Sequence, residues 1–246
     1  MSVQGRVALV SGAAQGIGRA IAVRLAAAGA FVALLDRDGE GVEAAAAELK
    51  GATAWVCDVR DSQEVRATVK RIFRACGPID LLINNAGIWR HTPVLQVDEA
   101  RWDEVFAVNV KGILFCSQAV VGGMVRRGAG KIVNIASVAG FGGSADWSAY
   151  CASKAAAISL SLGLARELEE QNVQVNVICP GATQTALLES IRREEPGAGF
   201  DWVHEPREVA REVIKLVVPF DQAVTGRVVA MKPAGEVLGI NVAEQG

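Results

Sequence analysis

Histidine is nearly absent from this chain: His91 and His204 are the only two in 246 residues. Tyrosine is rarer still, with Tyr150 alone beside seven Phe and five Trp. Each scarcity excludes something. Two histidines far apart, with Cys57, Cys76, Cys116, Cys151 and Cys179 scattered singly, offer no ligand set for a zinc site, and no metal is expected. Five cysteines with no C-x-x-C pair read as reduced thiols, not as a disulfide framework. Basic excess is also lacking: 25 Lys plus Arg against 27 Asp plus Glu gives a net charge of −2, without the electrostatic footprint of a nucleic-acid binder. No continuous apolar run approaches the ~18 residues that span a bilayer. The first twelve residues, MSVQGRVALVSG, hold too short an apolar stretch for a secretory signal. These readings predict a cytoplasmic protein with neither a membrane nor a nucleic-acid partner. Any proton carrier must be sought outside histidine, which draws attention to the lone tyrosine.

What the chain does have is apolar bulk, 51% of its residues, in a regular alternation. Short β-branched runs occur at Arg6–Ser11, Phe31–Asp36, Ala52–Cys57, Ile79–Asn84, Lys131–Ala136, Val173–Cys179 and Arg227–Met231. Several are continuously hydrophobic, as strands covered on both faces are. Between them lie segments with helical spacing: Gly18–Ala28, Val42–Leu49, Ser62–Ala75, Glu99–Val125 and Ser148–Glu170. Strand–helix–strand alternation gives parallel strands with right-handed crossovers, hence a doubly wound α/β sheet. No Pro/Gly/Ser-rich linker or charge block divides the chain, so one domain over residues 1–246 is expected.

The first strand runs directly into Ser11-Gly12-Ala13-Ala14-Gln15-Gly16-Ile17-Gly18, after which a helix begins. Glycine lets the main chain approach a ligand closely, and the helix start offers unpaired N–H groups to a pyrophosphate. Gly12, Gln15, Gly16, Ile17 and Gly18 are therefore candidate cofactor contacts; the alternative is a tight turn with no ligand. Asp36 ends the next strand, 18 residues after Gly18, where a carboxylate would accept hydrogen bonds from ribose hydroxyls and repel a 2′-phosphate. With Gln15 in place of a basic residue, this predicts NAD over NADP, although Arg37 adjoins Asp36. Asp58 and Val59, after the third strand, would lie near the adenine, or else Asp58 serves as a cap or turn residue.

The G-x-x-x-G-x-G loop, Asn84-Asn85-Ala86-Gly87, Asn109, Ser137, Tyr150-Cys151-Ala152-Ser153-Lys154 and Pro180-Gly181 together resemble the short-chain dehydrogenases/reductases, in order and from about Arg6 to Met231. The resemblance implies a three-layer, Rossmann-like sheet of seven parallel strands, a nicotinamide cofactor, and hydride transfer between a secondary alcohol and a ketone. It implies that Asn85, Ala86 and Gly87 support the adenosine ribose. It implies too that Thr185, ending P-G-x-x-x-T, binds carboxamide and diphosphate beside Pro180, Gly181 and the backbone of Thr183. The reacting groups also stand on chemistry. Hydride leaves an alcohol carbon only as the hydroxyl loses its proton, so a base must be close. A free tyrosine titrates near pH ~10. Lys154, one helical turn after Tyr150, would share its face and favour the phenolate, and it can hold the cofactor's nicotinamide ribose as the family implies. Ser137 would donate to the substrate oxygen. Asn109 is an awkward residue inside a helix; the family uses the matching Asn to hold a water that links Lys154 to solvent.

The chain departs from the family at Ser11, where Thr is commoner, and at Lys232-Pro233-Ala234-Gly235, where Asp-Gly-Gly is usual. The latter end often contributes to tetramer contacts in the family, and a homotetramer or homodimer is expected. Substrate contacts follow from position: Trp89, Ser137, Ala139, Ser144, Trp147, Tyr150, Ala182 and Leu187, under a covering segment at about 186–207. Two tryptophans would suit a ring or alkyl chain, or they are ordinary packing. The expected activity is an NAD(H)-dependent oxidoreductase for a small alcohol or ketone. The rivals are an NADPH-dependent 3-oxoacyl-[acyl-carrier-protein] reductase and, outside catalysis, an NAD-binding regulatory or scaffolding protein.

Overall fold

A computed structural model describes residues 3–200, 202–231 and 237–241. Its strands are β1 (Val7–Ser11), β2 (Phe31–Asp36), β3 (Ala52–Val56), β4 (Ile79–Asn84), β5 (Gly130–Ile135), β6 (Val173–Cys179), β7 (Arg227–Met231) and β8 (Val237–Asn241). They form one sheet in the order β3-β2-β1-β4-β5-β6-β7-β8. Pairing is parallel through β7, giving the expected seven-stranded parallel sheet. The eighth strand was not anticipated and runs antiparallel to β7. Its connection is only five residues, 232–236, too short for a parallel crossover. The departure at Lys232–Gly235 falls in that connection and lies outside the described residues.

Every residue of β1, β4, β5 and β6 is buried, because helices cover both faces. On one side α1 (Gly16–Ala27), α2 (Gly39–Ala47) and α8 (Pro206–Val217) pack Ile21, Leu25, Val42, Val209 and Val213 against Val10, Leu34, Leu81 and Ile83. On the other, α3 (Ser62–Cys76), α5 (Gly112–Arg127) and α6 (Ser148–Leu168) pack Val65, Ile72, Cys116, Met124 and Leu168 against Leu9, Leu35, Leu82 and Ile132. Each such Leu or Ile contributes roughly 1.5–3 kcal/mol by leaving water.

The long helix expected at Glu99–Val125 is α4 (Glu99–Phe106), one turn of π-helix at Ala107–Lys111, and then α5. This 29-residue rod is long and apolar enough, by length and composition, to cross a membrane, which the interrupted sequence did not reveal. Here Cys116, Val120 and Met124 lie in the sheet's core, so it is a core helix. Its end is set by Gly128, whose left-handed backbone (φ 60°) bonds back to Met124 and Val125.

Strand order reverses between β1 and β4: β2 and β3 extend one way, β5 to β7 the other. In doubly wound sheets the crevice at the strands' carboxyl ends opens at such a switch point.

Candidate active site

A cleft of about 850 Å³ occupies that position. One half is walled by the ends of β1 to β4: Gly12, Gln15, Gly16, Ile17, Asp36, Arg37, Asp58, Val59, Asn85, Ala86 and Gly87. The other half carries Trp89, Ser137, Ala139, Ser144, Trp147, Tyr150, Lys154, Ala182 and Leu187, with Pro180, Gly181, Thr183 and Thr185 in the same wall. Thus all but two of the residues named as candidate cofactor, catalytic or substrate contacts converge on one cavity. The two outside its wall are Gly18 and Asn109.

Gly12 has a positive φ of 64°, and a Cβ there would lie 2.8 Å from the Ala86 Cα. A Cβ on Gly18 would collide with the Gly12 carbonyl, so Gly18 sets the packing of the turn against its own helix. The two strand ends are stapled together. Asn85 Nδ2 donates to the carbonyls of Ser11 (3.1 Å) and Gly12 (2.9 Å), while Ser11 Oγ accepts from the Asn85 and Ala86 N–H groups. Ser11 therefore does the work of a hydroxyl at this position. At the start of α1, Gln15 provides no side-chain cap and the first turn holds no acid. Its N–H groups thus face the cleft without a competing anion, and this cradle fits a diphosphate. Thr185 packs its methyl against Gly16 (3.1 Å to a Cβ placed there) and caps α7 (Ala186–Glu194).

The Asp36 carboxylate closes β2 and accepts from the Ala14 N–H (3.0 Å) and the Asp38 N–H (3.1 Å), which fixes it at the rim. Asp58 differs. Arg60 takes both its oxygens, with its guanidinium at 2.6–3.0 Å and its N–H at 2.9 Å. That pairing holds the Asp58 carboxyl below its ordinary range. Asp58 thus makes a turn contact with its side chain while also lining the cleft, and the geometry is compatible with both readings left open for it.

Ser137 follows β5 and caps the short 3₁₀ turn Val138–Phe141, its Oγ accepting from Ala139 N–H at 3.2 Å. Tyr150 and Lys154 stand one turn apart on α6, both buried. Burial works against the phenolate that Lys154 is expected to favour. Burial pushes the Tyr150 phenol up to about 12, with a hydrogen bond from Ser137 working the other way. Burial likewise pushes the Lys154 ammonium down to about 8. Lys154 Nζ lies 5.7 Å from the Tyr150 ring centre and donates to the Ile135 carbonyl at 3.1 Å.

Asn109 sits in the π-helical turn, fully buried. Its Oδ1 accepts from Ile88 N–H (2.9 Å), and its Nδ2 donates to the Ile88 carbonyl and to Ser153 Oγ, both at 2.9 Å. Ser153 in turn donates to the Tyr150 carbonyl at 2.8 Å. The extra residue of a π-turn turns the amide sideways, so that it joins the loop after β4 to the helix bearing Tyr150. Sequence reading passed over Ser153, although its place one turn after Tyr150 was the available signal.

The half expected to take the substrate is aromatic. Trp147 stands edge-on to both Trp89 (5.5 Å between centres) and Tyr150 (6.1 Å), with Phe200, Leu187 and Ile191 completing the wall. The covering segment supplies α7, whose Leu188 and Ile191 are buried; residue 201 lies outside the described residues. Two polar residues here went unnoticed in sequence. Glu195 accepts the Trp147 indole N–H at 2.8 and 3.0 Å, and His91 Nε2 approaches the same carboxylate at 3.5 Å. They adjoin across more than a hundred positions of sequence, so no local pattern pairs them.

Residues 6–196 match the family model described as short chain dehydrogenase. The chain is 36% identical to the 3-oxoacyl-[acyl-carrier-protein] reductase of Vibrio harveyi, across 92% of this chain and 95% of that one. It is 38% identical to the 2,3-dihydro-2,3-dihydroxybenzoate dehydrogenase of Bacillus subtilis, across 80% and 77%. Among solved structures, a variant of actinorhodin polyketide ketoreductase with NADPH superposes with a TM-score of 0.88 at 32% identity, covering 94% of this chain and 97% of that one.

Proposed function

The chain belongs to the short-chain dehydrogenase family, and we infer that within it the protein interconverts a secondary alcohol and a ketone with NAD(H), using Tyr150 as the acid and base. Oxidoreduction with a nicotinamide cofactor is what the family does. The observation that carries the finer reading is the meeting of two sets of residues in one cleft: an uncapped helix start beside a rim carboxylate, and Ser137, Tyr150 and Lys154 at the far wall.

When bound, the nicotinamide supplies or receives the hydride. The chain's own residues do the rest. Gly12, Gly16 and the N–H groups of α1 would hold the diphosphate, and Asp36 the adenosine ribose. Ser137 would donate to the substrate oxygen. Buried Tyr150 keeps its proton at neutral pH, the form required to protonate a carbonyl oxygen as it gains charge. Lys154 would hold the ribose near the reacting carbon. Asn109 and Ser153 would fix the spacing between the loop after β4 and the tyrosine.

Asp36 supports NAD, because a 2′-phosphate would meet a carboxylate already fixed by two N–H groups. A second reading, an NADPH-dependent 3-oxoacyl-[acyl-carrier-protein] reductase, is favoured by the 36% identity to the Vibrio harveyi enzyme and by Arg37, which lines the cleft beside Asp36. Steady-state reduction of a ketone panel with each cofactor separates them. We expect kcat/KM with NADH to exceed that with NADPH by at least about tenfold, the ratio for a contact energy of ~1.4 kcal/mol. A preference for NADPH contradicts the NAD assignment.

A further inference from the structure

We propose that Glu195 determines substrate charge, restricting the aromatic half of the cleft to ring-bearing ketones and alcohols without negative charge and rejecting those that carry a carboxylate. The inference rests on the reading that this half takes the ketone. Glu195 lines the cleft from the end of α7, with its side chain 21% exposed. It is not a freely solvated carboxylate: the Trp147 indole N–H holds both its oxygens, and Trp147 stands edge-on to Tyr150. One aromatic ring therefore separates this charge from the phenol at the reaction centre.

Lys154, in the same wall, is held by the Ile135 carbonyl at 3.1 Å, and the charges around Glu195 do not cancel its own. His91 lies 3.5 Å from Glu195 but also 3.9 Å from Asp146, so two carboxylates share one imidazole, and the group stays negative whether or not His91 is protonated. Arg90, also in the cleft wall, is held by Glu104 through two hydrogen bonds at 2.9 and 3.0 Å. Arg192 on α7 is paired with Glu189 at 2.9 Å. A substrate carboxylate in this half would meet an uncompensated like charge among apolar walls. Even at an effective dielectric of about 20, repulsion between charges a few ångströms apart changes affinity more than tenfold.

The test uses two probes on the same ring frame, 3-acetylbenzoate and its methyl ester, which differ in charge and by one methyl group, with the wild-type protein and Glu195→Gln. Glutamine keeps an oxygen for the Trp147 N–H and removes only the charge. Two readouts are taken: kcat/KM for ketone reduction, and dissociation constants from quenching of tryptophan fluorescence. The expected result is that wild type favours the ester over the acid by at least about tenfold, and that Glu195→Gln brings the ratio to within about threefold. An ester-to-acid ratio that is the same in both proteins overturns the proposal. Failure of both proteins to reduce either probe would count against the reaction assigned above, while the binding ratios would still decide the role of Glu195.

Discussion

The two halves of the cleft are built by different means. The half at the ends of β1 to β4 is made of main chain: glycines packed against neighbouring carbonyls, strand ends stapled by Asn85 and Ser11, and a helix start left uncapped. The half under α7 is made of side chains drawn from distant segments, Trp89, Trp147, Ile191 and Phe200, with a few polar contacts at its edge. Where backbone forms the wall, a substitution must preserve the backbone. Where side chains form it, the wall can change and the fold persist. One scaffold thereby keeps a fixed cradle beside a variable pocket.

The largest effect expected from this contrast is electrostatic and falls where the halves meet. The Tyr150 phenol of the protein alone should keep its proton through pH 10, where a free tyrosine titrates, and release it near 12. Because its pKa in the folded chain lies above that in the unfolded one, its contribution to stability is complete below about pH 10 and is lost as pH rises through about 12. Phenolate absorbance reads this from one residue, since the chain has a single tyrosine. Titration near 10 would mean that the ring is solvated.

The next effect is steric. Gly18→Ala drives a Cβ into the Gly12 carbonyl, and backbone cannot swing aside as a side chain can. A loss of about 1–3 kcal/mol, read from the midpoint of urea denaturation, is expected. The smallest effect is its counterpart in the other half. A Cβ on Gly143, which lines the same cleft, meets nothing within 4 Å. Gly143→Ala should alter stability by less than about 0.5 kcal/mol. Equal costs for the two alanines would erase the distinction between the halves.

That distinction also explains what could be read from sequence. Strand–helix alternation and the Gly12–Gly18 string are local patterns, and the strands from Phe31–Asp36 to Val173–Cys179 lie within a residue or so of where they were placed. The turn of π-helix at Asn109 left only an oddly placed asparagine as its trace, and β8 follows from a short connection and not from a propensity. Glu195 and His91 left no trace, because their meeting depends on how α7 folds back over Trp147. The burial of Tyr150 left no trace in the sequence for a similar reason. Spacing places Lys154 on the same helical face, but only the fold shows that its ammonium turns to the Ile135 carbonyl and that both groups are buried.

The central claim is that this buried phenol moves the proton. It is tested most directly by comparing Tyr150→Phe with wild type for ketone reduction and for cofactor binding. The account predicts that kcat falls by a factor of about 10²–10⁴, the usual worth of a positioned proton donor, while the dissociation constant for NADH stays within about threefold. Turnover by the phenylalanine variant at the wild-type rate would contradict it.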